Sequence, residues 1–172
     1  MHALVVYESM FGNTAVIARA VADGIAAHAD VTLADASTMP DATGMDLVVV
    51  GGPTHAFGMS RPSTRQDAAR QGQTRPGTTA TGMREWLDRS PALTGVAAAA
   101  FDTKIDKSFV PGSAAHKAHR RLRRLGCRLV ASAESFRVSD TTGPLVAGEP
   151  ERARRWGETV AEAVRPAGHA TV

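Results

Sequence analysis

The sequence predicts a doubly wound, three-layer α/β sandwich with a five-stranded parallel sheet. Three observations carry this expectation. Short, continuous apolar runs rich in valine or alanine recur along the chain. Segments of helical periodicity lie between them, and glycine or polar turn residues mark most of the changes. Continuous apolar runs suit strands buried on both faces, and strands alternating with helices imply βαβ units. A length of 172 residues fits one domain spanning 1–172.

The elements follow in order. Residues 4–7 read as the first strand. From Asn13 the period changes, and Val16, Ile17, Ala20, Val21, Gly24 and Ile25 form one helical stripe. Residues 31–33 are a short second strand, and 47–50 are the third, ended by Gly51-Gly52-Pro53, which reads as a sharp break. A short helix is expected at 83–89 and an alanine-rich fourth strand at 96–101. Residues 114–125 are helical, stopped by Gly126. A fifth strand is expected at 128–136 and a last helix at 149–165, with Pro150 in its first turn. The polar stretch 59–82, with Arg61, Arg65, Arg70 and Arg75, reads as an insertion. Its favoured reading is a solvated, partly disordered excursion; a lid or an anion-binding segment is the alternative.

Composition narrows the function classes. Apolar residues are 43% and charged residues 22%, ordinary globular values. No apolar run approaches the ~18 residues of a membrane span. The start lacks a basic, cleavable leader, so a cytoplasmic location is expected. The single cysteine, Cys127, excludes an internal disulfide and a cysteine-based zinc site, and reads as a core thiol. The net charge of +3 is too mild to predict nucleic-acid binding. The basic run 116–124 reads as the wet face of a helix buried through Ala115, Ala118, Leu122 and Leu125. His116 and His119 lack a carboxylate nearby in sequence to complete a metal site, so no metal is expected. No Ser-His-Asp arrangement or G-x-S-x-G stands out.

In open α/β sheets, ligands sit beyond the carboxyl ends of the strands. After strand one comes Ser9-Met10-Phe11-Gly12-Asn13-Thr14, then a helix. This is neither G-x-G-x-x-G nor a Walker loop. Gly12 permits close backbone approach, the helix start favours an anion, and Ser9, Asn13 and Thr14 add donors. The plainer reading is a strand-to-helix turn capped by Asn13 or Thr14. After strand three comes Pro53-Thr54-His55-Ala56-Phe57-Gly58, whose flat rings suit a planar heterocycle or, more plainly, cover a sheet edge.

Together the two loops resemble the flavodoxin-like FMN-binding family. Its phosphate loop reads [ST]-x-[ST]-G-x-[ST]; Phe11 stands where a hydroxyl is common, and the quinone-reductase branch also tolerates an aromatic there. Pro53, Thr54 and His55 match the segment flanking the flavin ring, with His55 replacing a Trp, Tyr or Arg. The resemblance implies strand order 2-1-3-4-5. It implies FMN held without a covalent bond: phosphate on Ser9 to Thr14, ring framed by Pro53 to Gly58 and by Phe101, Asp102, Thr103 and Lys104. Phe109 stands as a possible cover for the ring. The stacking tyrosine of electron-carrier flavodoxins is missing; the only tyrosine is Tyr7. An open ring face suits an enzyme that admits a substrate to the flavin. The expected function is passage of electrons through FMN to a redox partner protein or small acceptor. NAD(P)H is a candidate donor, a quinone-like molecule a candidate acceptor, and His55 the one candidate acid–base group. The alternative is a binding module of the same fold that has lost flavin.

Overall fold

The computed structural model describes residues 1–55, 57–72, 81–107 and 110–164. The elements run β1 (His2–Tyr7), α1 (Asn13–Ala26), β2 (Asp30–Asp35), β3 (Leu47–His55), β4 (Gly58–Met59), α2 (Pro62–Gln71), α3 (Met83–Arg89), β5 (Ala97–Ile105), α4 (Ala114–Arg124), β6 (Arg128–Leu129), β7 (Glu134–Val138) and α5 (Glu149–Val164). The sheet order is β2-β1-β3-β5-β6, with β7 continuing beside β5 and β4 folded back antiparallel on β3. All other pairings are parallel. With β5 as the fourth strand and β6 plus β7 as the fifth, this is the expected doubly wound order.

Strand alternation sorts the core into two halves. Leu4, Val6, Val48, Val50, Ala98 and Ala100 face α3 and α4, with Trp86 and Leu122 among the side chains covering them. Ala3, Val5, Leu47, Val49, Ala99 and Phe101 face α1 and α5, where Ile17, Val21, Ile25 and Val160 close the layer. The alanines of β5 are wholly buried, so their small size brings the helices close to the sheet.

Four expectations about elements need correction. β3 does not break at Gly51-Gly52-Pro53 but runs on to His55. The Phe101 ring lies over Gly51, where an added Cβ would stand 2.0 Å from Cζ, so glycine there serves packing rather than termination. β1 stops pairing at Gly51, so Pro53 falls where β3 has lost that neighbour, a setting in which a strand tolerates proline. The fourth strand extends to Ile105 because β7 pairs with it from Phe101 onward. The fifth strand is split in two, β6 and β7. The fourth correction concerns 59–82, which is not simply a solvated excursion: Met59 is in β4 and residues 62–71 form α2, whose Arg65 is fully buried. Residues 73–80, including Arg75, lie outside the described residues.

α1 and α5 cross at a glycine contact. A Cβ on Gly24 would lie 2.0 Å from the Arg154 carbonyl oxygen, and one on Gly157 would lie 2.3 Å from that of Val21. Backbone touches backbone there. Gly24→Ala and Gly157→Ala are each expected to destabilise the protein by about 1–3 kcal/mol, because overpacking outweighs the ~1 kcal/mol helix-propensity gain of alanine. Denaturant unfolding measures this, and an increase in stability in either variant would contradict the crossing.

Candidate functional site

The carboxyl ends of β1, β3 and β5 open into a cavity of about 350 Å³, inside the ~300–1,000 Å³ range of small-molecule and cofactor sites. Its floor at one end is the turn from β1 into α1. Gly12 caps the helix with φ +98°, a left-handed conformation that glycine adopts without strain. Gly12, rather than Asn13 or Thr14, is therefore the N-cap, and no side chain caps the helix by the usual route. Ser9 Oγ instead accepts from the N–H groups of Gly12 (3.2 Å) and Ala15 (3.1 Å). No acidic residue sits in the first turn, so no carboxylate competes for the helix dipole. A Cβ placed on Gly12 would meet nothing within 4 Å, so the turn is open in front of it.

The other wall is built from β3, β5 and α2. Pro53, Thr54, His55, Thr103 and Lys104 line it, as do Met10, Phe11, Asn13 and Thr14 from the first turn. The Thr14 and Thr103 hydroxyls bond to each other at 2.7 Å, linking the two ends of the cavity. Lys104 Nζ donates to the Gly112 carbonyl at 2.6 Å. Sequence reasoning missed α2's contribution, Thr64, Asp67, Ala68 and Gln71, and the rim residues Ile105, Val110, Val138 and Thr141. No motif marks α2, whose described residues bury only Arg65 and Ala68.

Several expected site residues have other duties. Phe101 is a core side chain, packed edge-on against Phe136 and Trp156 with both centroids at 6.0 Å. Asp102 does not line the cavity. Its Oδ2 is wholly buried and accepts from Thr54 Oγ1 (2.9 Å), Ser113 Oγ (2.6 Å) and the Ala115 N–H (3.0 Å), so it anchors the start of α4. Phe57 is 56% exposed at φ +71°, and Gly58 lies beneath Lys117, so neither reaches the cavity. Ala56 and Phe109 lie outside the described residues.

His55 is held neutral. Burial, reinforced by the nearby Arg65 charge, pulls its pKa down to about 4. Its Nδ1 is buried with no hydrogen-bond partner among the described residues. Behind it lies a polar cluster that the sequence does not advertise. Arg65 donates to Ser60 Oγ (2.7 Å) and Glu85 Oε1 (2.7 Å) and stands 3.7 Å from Glu8. Ser60 Oγ in turn donates a hydrogen bond to Glu8, which also accepts from the Met83 N–H at 2.8 Å. Burial pushes the Glu8 carboxyl above its ordinary value despite these donors. Burial also works on Glu85, but the Arg65 and Gly82 hydrogen bonds hold it below the usual range.

The family model described as Flavodoxin matches residues 5–153. The chain belongs to the flavodoxin family. Proteins of this family bind FMN non-covalently and transfer electrons through it, so this protein is an FMN flavoprotein of the electron-transfer class. Three solved structures show the same fold. A flavodoxin from the domain Archaea is 21% identical, with 95% of this chain and 99% of that one covered and a TM-score of 0.67. Flavodoxin 2 from Bacillus cereus is 20% identical over 94% and 99% of the two chains, with a TM-score of 0.69. A flavodoxin, WrbA-like protein from Agrobacterium tumefaciens is 21% identical over 95% and 97%, with a TM-score of 0.59. No curated protein matches the sequence significantly. Among the described residues no helix is long and apolar enough to cross a membrane, and no group of three or more His, Cys, Asp or Glu is placed to hold a metal.

The residues present fit FMN at both ends. The phosphate end has an acid-free helix start, hydroxyls and an open glycine turn. The ring end has an apolar rim and one orphaned polar atom, His55 Nδ1.

Two predictions follow from the cluster and from His55. Replacing Arg65 by Met leaves Glu8 and Glu85 without their counter-charge, and a loss of about 3–5 kcal/mol is expected by denaturant unfolding. For His55, the folded pKa of about 4 lies below the unfolded value of ~6.5, so the unfolded chain binds more protons in between. Stability from this group is present above ~6.5 and is lost as pH falls toward about 4, by roughly 3 kcal/mol in full. Unfolding curves across that window should show a shallower slope in His55→Gln than in the parent; identical slopes would contradict the assignment.

Proposed function

We propose that the 350 Å³ cavity holds FMN with its phosphate on the Ser9 to Thr14 turn and its ring against Pro53, Thr54, His55, Thr103 and Lys104. We infer that electrons enter from a reduced pyridine nucleotide and leave to a quinone-like acceptor. The observation that carries the cofactor placement is the start of α1, where an open glycine turn meets a helix dipole with no acid beside it. What supports a small-molecule acceptor is the open ring end. The only tyrosine, Tyr7, is in β1 beside Gly51, so no tyrosine stacks in the cavity.

Bound there, FMN supplies one- and two-electron redox chemistry that no side chain provides. The protein's part is to bind and orient. Backbone N–H groups and the Asn13 amide hold the phosphate as neutral dipoles. Ser9 Oγ, already accepting from Gly12 and Ala15, keeps its proton to donate. Neutral His55 offers Nδ1 to the polar edge of the ring, and Lys104 is kept at the rim by Gly112. Phe11, Ile105 and Val110 would give the ring apolar contacts at the edge of the cavity.

Asn13→Asp separates the two roles of this turn. A carboxylate at the first helical position should stabilise the apoprotein by about 0.3–1 kcal/mol through the helix dipole, while repelling the phosphate. The expected result is a higher melting temperature without cofactor and FMN affinity weakened about tenfold, read by flavin fluorescence quenching. Reconstitution of the parent protein with FMN should leave the flavin band near ~450 nm after desalting, and oxidation of NADPH or NADH with a soluble quinone should then be measurable. A chain that retains no FMN would support the flavin-free binding module instead. A chain that retains FMN but oxidises neither nucleotide would leave it a carrier between proteins.

A further inference from the structure

Outside the cofactor cavity, a smaller cleft of about 190 Å³ opens between β4, α3 and α4. Its walls are Met59, Arg84, Lys117, Arg120, Arg121 and Arg124. On α4 these cations stand at i, i+3, i+4 and i+7, so they share one face, while Ala114, Ala115, Ala118 and Leu122 take the buried one. Like charges at such spacings repel, so the arrangement costs the isolated protein stability. The only acid paired with the set among the described residues is Asp88, which binds Arg121. The side chains of Lys117, Arg120 and Arg124 make no hydrogen bond and no ion pair among the described residues.

Two features make this more than a wet helix face. Arg84 is fixed by its Nε to the Ser60 carbonyl (3.0 Å) and by Nη2 to the Met59 carbonyl (2.9 Å). These bonds orient the guanidinium without neutralising it. Burial first, then the neighbouring Arg61 and Arg121 charges, draw its pKa down, with Asp88 and Glu85 pulling the other way. Lys117 is packed onto the hairpin backbone: a Cβ on Gly58 would stand 2.5 Å from its Nζ. Glycine at 58 is what admits the lysine.

We propose that this cleft is a binding site for a small, free phosphate-bearing anion of the pyrophosphate class, held between Arg84 on one wall and Lys117, Arg120 and Arg124 on the other. Arginine forks match phosphate oxygens in pairs, and several cations converging on one gap suit a multiply charged group better than a single carboxylate. The cleft is about half the volume of the cofactor cavity, which suits phosphate groups rather than a ring. Among the described residues no aromatic side chain lines it, so they offer no stacking surface of the kind a single-stranded nucleic-acid site uses. This site stands apart from the FMN placement. It touches the same hairpin, since Met59 in the cleft pairs with Thr54 in the cavity wall.

The test is calorimetric titration of the full chain with inorganic pyrophosphate at ~0.15 M salt, where screening removes weak surface attraction. Single-site, saturable binding is expected, weakened tenfold or more in Arg120→Ala/Arg124→Ala, with FMN uptake unchanged in the same variant. Arg120→Lys/Arg124→Lys should fall between, because it keeps charge and loses the forks. No saturable binding by the parent protein, or equal binding by the alanine variant, would overturn the proposal. Sedimentation with vesicles containing anionic lipid, without pyrophosphate binding, would overturn it in favour of a lipid surface.

Discussion

The cluster of Glu8, Ser60, Arg65 and Glu85 ties together the parts of the fold that a parallel sheet alone would leave loose. Glu8 is the residue directly after β1, Ser60 directly follows β4, Arg65 lies in α2, and Glu85 lies in α3. β1, β4 and α3 share one apolar layer, but α2 is tied to them mainly through polar groups. α2 in particular buries little besides its arginine and Ala68. Its position is set by a guanidinium placed among two carboxylates and a hydroxyl. Because the carboxylates are themselves fixed by the Met83 and Gly82 N–H groups, the cluster has partners on both sides and defines one arrangement. The first turn of the 350 Å³ cavity begins at Ser9, next to Glu8. The α2 wall begins two residues after Ser60. Both ends of the site are therefore referenced to the same buried charge.

Much of the fold was legible because its elements obey simple periods. The continuous apolar run at the first strand predicts burial on both faces, and the structure puts Leu4 and Val6 in one core layer and Ala3 and Val5 in the other. The helical stripe through Ile17, Val21, Gly24 and Ile25 and the stop at Gly126, with φ +91°, also read directly, whereas Val16, expected in that stripe, is 48% exposed. What pattern reading lost was structure held by polar groups. A search for apolar spacing gives α2 no weight, since its anchor is an arginine. Gly51 and Gly52 look like a strand terminator, yet their missing side chains make room for Phe101 and Met83.

The site divides the same way. The turn after β1 was readable as an open helix start because glycine and small polar residues directly after a strand are a short local signature. Ten of the expected residues line the cavity, among them Ser9, Asn13, Thr54 and His55. Asp102's bonds to the start of α4 were not legible, because a carboxylate at the end of a strand has the same local sequence whether it faces a ligand or a helix start. Its partners, Ser113 and Ala115, lie more than ten residues away, and only the fold brings them to it.

The bond between the Thr14 and Thr103 hydroxyls has a further consequence. It joins α1, which starts at the open glycine turn, to β5, which forms part of the opposite cavity wall. The spacing between the two ends of the cavity is thereby set by covalent geometry and one short polar clasp. A site built this way measures its ligand. A flavin lacking the phosphate would leave the turn unfilled, and one extended by a second nucleotide would have to leave the cavity at one end. With FMN placed as proposed, selection among flavins would rest on length as much as on charge.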